Sequence, residues 1–140
     1  MALRTVATAA LLCAMGASPA LPQTPGSNVL MTQCNPQAYN NAAESGFRVT
    51  PYKSGQRTIL AMEYQNEAIT PATAVVFGLV SGGRLVGVGE DDGMFSRNAV
   101  IEHNVMLSQE IPVGRPTQCV VLRIRYANGM GWFNPAPPTF

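Results

Sequence analysis

The feature that most constrains this chain is an alternation. Thr58, Leu60, Met62 and Tyr64 fall on one side of a run, with Ile59, Ala61, Glu63 and Gln65 on the other. A repeat of two sends successive side chains to opposite faces, the geometry of a half-buried β-strand. The same pattern opens earlier with Phe47, Val49 and Pro51, stopped by Lys53-Ser54-Gly55. Thr73 to Val80 is apolar or small on both faces, with Val75, Phe77 and Leu79 on one and Val76 and Val80 on the other, which predicts a central strand covered twice. Ser81-Gly82-Gly83 is a hairpin signal, because glycine supplies the positive φ that tight turns need. Arg84 to Gly89 then reads as the returning strand and Glu90-Asp91-Asp92-Gly93 as a polar loop. Val100 to Leu107 places Ile101, His103, Val105 and Leu107 on one face. Cys119 to Tyr126 places Val120, Leu122, Ile124 and Tyr126 inward and Arg123 and Arg125 outward. Asn128-Gly129 predicts a type I′ turn that folds Trp132-Phe133 back on the preceding strand. Beyond the first twenty residues no ten-residue stretch keeps a capped 3.6-residue apolar repeat, and only Pro36 to Ser45 reads as a short helical turn.

Short strands punctuated every 8–12 residues predict an all-β fold: an antiparallel, immunoglobulin-like or fibronectin-III-like β-sandwich of about seven strands. Tyr64, Phe77 and Trp132 are its expected aromatic core. An outer-membrane barrel would need longer uninterrupted strands, and Pro135, Pro137 and Pro138 bar the last segment from a ladder.

Met1 to Arg4 carries one positive charge, Thr5 to Ala17 is small and apolar, and Ser18-Pro19-Ala20 offers a small-residue exit. That is the layout of a secretory signal over residues 1–20, and its apolar stretch is shorter than a spanning helix needs. Residues 21–28 read as a flexible lead-in, 29–134 as the sandwich domain and 135–140 as a proline-rich extended tail. The expected location is therefore periplasmic or extracellular, with no membrane span in the mature chain. Removing the signal takes away Arg4 and Cys13 and leaves eight charges of each sign, with Cys34 and Cys119. An even pair in an exported chain predicts one disulfide, Cys34–Cys119.

Composition narrows the partners. Of 140 residues 46% are apolar and 12% charged, and nine Lys+Arg face eight Asp+Glu. A chain with so little charge is not disordered, and without a basic surplus it lacks a nucleic-acid footprint.

The series Glu63-Tyr64-Gln65-Asn66, Ala72-Thr73-Ala74-Val75-Val76-Phe77-Gly78, Gly83-Arg84-Leu85-Val86 and Cys119 through Tyr126-Ala127-Asn128-Gly129 to Trp132 resembles small secreted bacterial proteins of unknown function with an immunoglobulin-like sandwich. The resemblance spans about residues 58–133, implies that fold, and brings no catalytic motif.

Candidate chemistry is sparse. His103 is the single histidine, and alternation sends the adjacent Glu102 to the opposite face, so no carboxylate is paired to it by sequence. No Gly-x-Ser-x-Gly elbow marks a nucleophile. Glu90, Asp91 and Asp92 gather three carboxylates, yet their spacing is not that of a calcium loop, and the expectation is a solvated turn with Arg97 as a local ion-pair partner. Arg123 and Arg125, with Arg115 upstream, read as a small positive stripe that either solubilises its face or pairs across it with Glu63. Gly82-Gly83 and Gly87-x-Gly89 lack the following helix a phosphate cradle needs. No catalytic, metal or cofactor-binding residue is assigned. The expected function is an exported, non-enzymatic binding or envelope-accessory module with a protein partner, with strand addition at a sheet edge as one mode. The alternatives are a small hydrolase using His103 and a structural appendage of a larger envelope assembly.

Overall fold

A computed structural model of the protein describes residues 23–39, 57–109 and 116–140. They form seven strands: β1 (Val29–Tyr39), β2 (Arg57–Asn66), β3 (Ala72–Ser81), β4 (Arg84–Phe95), β5 (Val100–Met106), β6 (Gln118–Tyr126) and β7 (Gly131–Phe133). Two antiparallel sheets result, a three-stranded one ordered β1-β2-β5 and a four-stranded one ordered β4-β3-β6-β7. The predicted all-β sandwich is present, and the run at Phe47 to Pro51 lies outside the described residues.

The core is filled by the alternating inward residues of both sheets. Leu60, Met62 and Tyr64 of β2 and Ile101 and Val105 of β5 face Val75, Phe77 and Leu79 of β3, all buried. Tyr64 meets Phe77 and Phe95 edge to face, with ring centroids 5.1 and 5.7 Å apart. Phe95 thus takes the aromatic place expected of Trp132, which is only half-buried and packs against the core from the short strand β7. As expected, β3 is covered on both faces and the Gly82-Gly83 turn has both residues at positive φ, 58° and 78°.

Four readings need correction. Glu90-Asp91-Asp92-Gly93 is not a loop but continues β4, paired to β3 as far as Phe95. Pro36 to Tyr39 is strand, part of β1, where a helical turn was expected; residues 40–45 lie outside the described part. In β6 a bulge at Leu122 shifts the register between Val121 and Arg123. An extra residue reverses the parity before it, so Cys119 and Val121 face inward with Ile124, while Val120 and Leu122 turn to the outer face. Finally, the β6–β7 turn is not type I′, which needs positive φ at both central residues. Only Gly129 has it, at 82°, with Gly129 N donating to Tyr126 O (3.1 Å) and Tyr126 N to Met130 O (2.9 Å). This is the three-residue loop in which a type I turn is followed by a left-handed glycine.

Asn66, fully buried, ties one end of the sandwich together. Its Nδ2 donates to Thr70 O and Phe95 O (3.1 and 3.0 Å), its Oδ1 accepts from Ala68 N, and its backbone oxygen accepts from Asn98 N. One side chain therefore fixes the β2–β3 connection against the β4–β5 connection. Cys34 and Cys119 form the expected disulfide, joining β1 to β6 across the two sheets.

Candidate functional site

The inner face of β4 carries Gly87, Gly89 and Asp91, which stand opposite Leu79, Phe77 and Val75 of β3. Because the two glycines add no side chain, β5 approaches closely: a Cβ on Gly89 would lie 2.6 Å from Val105 Cγ1 and 3.0 Å from Met106 O. Asp91 follows in the same row, and here the two sheets are joined by polar groups.

Asp91 is buried and receives two partners. Tyr64 Oη donates to its Oδ2 at 2.7 Å. His103 Nδ1 lies 2.8 Å from Oδ2 and 3.0 Å from Oδ1. Burial first, and then the hydrogen bond and charge of Asp91, raise the Tyr64 hydroxyl far above the ordinary tyrosine range, so it stays protonated and donates. Phe95 flanks the imidazole with ring centroids 6.0 Å apart. The His103 side chain remains 48% exposed beside this buried carboxylate. An imidazole held through Nδ1 by a carboxylate has its tautomer and orientation fixed, which leaves Nε2 as the nitrogen for proton transfer or ligand contact.

The histidine is thus on the expected face, and its carboxylate is Asp91 of the neighbouring sheet. Sequence reasoning missed that partner because a run of three acids read as solvated loop, whereas strand alternation buries only the middle one. Glu90 and Asp92 point outward, so the three carboxylates do not converge, and among the described residues no group of three metal-ligating side chains occurs.

Their outward partners also differ from expectation. Arg123 lies 3.6 Å from Glu90 and Arg125 3.1 Å from Asp92. Val76 pairs with both Glu90 and Arg123, and Ala74 with both Asp92 and Arg125, so each ion pair spans the central strand over a modest side chain. Glu63 belongs to the other sheet, where its carboxylate accepts from Thr32 Oγ1 at 2.7 Å. Arg97 forms a bridge with Asn66, and Arg115 lies outside the described residues.

Several edge groups are already occupied. Val121 N donates to Thr24 Oγ1 (2.9 Å), and Asn134 Nδ2 to Val121 O (3.0 Å). On β4, Val88 N donates to Gln109 Oε1, Val88 O accepts from Ser108 N, and Leu85 N donates to Thr139 O (2.8 Å). Since Asn134 N donates to Leu122 O of β6, residues 135–140 run from β6 to β4.

Fold and site together define a disulfide-tied antiparallel sandwich whose sheets are also joined by a Tyr–Asp–His hydrogen-bond chain. Comparison with known proteins returns no match to a family model, to a curated protein or to a solved structure.

Proposed function

We propose that this chain is an exported, non-enzymatic recognition module, an immunoglobulin-like sandwich of the kind its late-strand pattern resembles, which holds a protein partner in the periplasm or outside the cell. The observation that carries this reading is the apolar surface that the folded domain leaves in water. Ile69 is 81% exposed in the β2–β3 connection and Met130 67% exposed in the β6–β7 connection, with Met94, Phe133 and Phe140 also largely exposed. Large exposed apolar side chains in loops held by a rigid sandwich are a usual site of protein recognition. The leader-like residues 1–20 and the disulfide support export.

The test is affinity capture with the mature, oxidised protein as bait, from envelope and culture extracts of its own cell. A Cys34→Ser, Cys119→Ser bait, unfolded before use, serves as control. A partner retained by the folded bait alone is the expected result, and an empty eluate from both overturns the reading.

His103 favours a second reading, a small hydrolase, because Asp91 orients its ring at 2.8 Å. Among the described residues no serine, threonine or cysteine hydrogen-bonds that ring. A wild-type protein that hydrolyses small chromogenic esters, with loss of that activity in His103→Ala at an unchanged Tm, would establish it. Absence of activity in the wild type removes it.

A further inference from the structure

At the end of the sandwich organised by Asn66, an open cleft of about 420 Å³ lies between the β2–β3 and β6–β7 connections, with Asn28, Glu67, Ile69, Thr70, Tyr126 and Met130 among its walls. Its walls are braced. Glu67 N donates to Asn28 O at 2.7 Å, and Ala127 N to Pro71 O at 2.9 Å, so the two connections and the start of β1 hold each other in place. A braced cleft keeps its shape in the free protein, which lowers the ordering cost of binding.

Two features of the cleft say what would fill it. Ile69 and Met130 present two of the most exposed apolar side chains of the described residues at its rim. Glu67 is the one charged side chain in the lining, and among the described residues it has no ion-pair partner.

We infer that this cleft binds an extended segment of a partner protein that combines a large apolar side chain with an adjacent lysine or arginine. The apolar side chain packs between Ile69 and Met130, and the cation meets Glu67. The inference rests on the recognition-module reading and names the surface and the chemistry of its partner.

A phage library of random nonapeptides selected on the oxidised mature protein tests it, with the winners measured by fluorescence anisotropy. Selected peptides share a basic residue beside a large apolar one. Ile69→Glu, at a solvent-exposed position, lowers their affinity about tenfold or more while the protein still folds. Glu67→Lys turns the selection towards acidic peptides. Peptides that bind Ile69→Glu and Glu67→Lys as well as wild type overturn the inference, as does a selection that enriches nothing. A self-association that Ile69→Glu dissolves overturns it too, since the occupant is then a second copy of the chain. A protein partner captured equally by wild type and Ile69→Glu removes this cleft and keeps the recognition module, whereas capture by neither removes both.

Discussion

Tyr64 is buried between Phe77 and Phe95 and donates its hydroxyl proton to Asp91. Its folded-state pKa is raised above the unfolded value of about 10, first by burial. A raised pKa means the folded state keeps a proton that the unfolded chain releases, so this contribution is complete below the unfolded pKa and is lost as pH rises past it. From about pH 10 upward, wild type should lose about 1.4 kcal/mol of unfolding free energy per pH unit relative to Tyr64→Phe. Urea unfolding of both proteins between pH 9 and pH 11 measures the difference, and parallel curves would show that the phenol ionises freely in the fold. Asn66 supports a second prediction at this scale. Asn66→Ala leaves Ala68 N and the carbonyls of Thr70 and Phe95 without their partner, and should cost about 2–4 kcal/mol in urea unfolding at neutral pH. Tyr64's inward position was legible in the alternation of its strand. Asp91 was not, because a carboxylate between two others carries the local signature of solvent, and only a tyrosine and a histidine distant in sequence make its burial tolerable.

At the scale of the strand, alternation located most of the fold and failed where pairing overrides local pattern. The centre of β3 and the inward faces of β2 and β5 follow the repeat of two, with His103 at the exposed margin of its face. In β6 the Leu122 bulge breaks that repeat, and a bulge is set by the pairing with β3 rather than by β6's own sequence. β4 runs on through Glu90-Asp91-Asp92-Gly93 because β3 supplies a hydrogen-bonded neighbour, and Arg123 and Arg125 meet the outward acids. The Gly87-x-Gly89 pair, uninterpretable as a phosphate motif, marks where β4 and β5 come close. Gly89→Ala therefore pushes a methyl against Val105 and the backbone oxygen of Met106, and should cost about 1–3 kcal/mol. Arg125→Ala, on the same sheet's outer face, removes an exposed ion pair and should cost less than about 1 kcal/mol. Equal losses from the two substitutions, read as shifts of the urea midpoint at constant slope, would mean the β4–β5 approach is not tight.

In the molecule as a whole, the two sheets are tied along opposite margins by different chemistry. On the β4–β5 side the tie is polar, with Asp91 holding His103 and Ser108 N donating to Val88 O. On the β1–β6 side it is covalent, through Cys34 and Cys119, which are 85 residues apart in sequence. This tie was readable in advance, since an even pair of cysteines, Cys34 and Cys119, follows the apolar first twenty residues, whereas the polar margin depends on which strands meet at an edge. Among the described residues β1 has β2 as its one strand partner, and the bridge links it covalently to the four-stranded sheet. Closing so long a loop restricts the unfolded chain, and the chain-entropy model puts the stabilisation at about 4–5 kcal/mol. The double variant Cys34→Ser, Cys119→Ser should therefore unfold at much lower urea, and a reducing agent should lower the wild-type midpoint to the same value while leaving the variant unchanged. Amide exchange separates the two margins: without the bridge, β1 should lose protection before β3 and β6, which keep each other as neighbours. A variant that holds its wild-type midpoint would place the stability in packing alone, and uniform loss of protection would mean that the two sheets unfold as one unit whichever margin is cut.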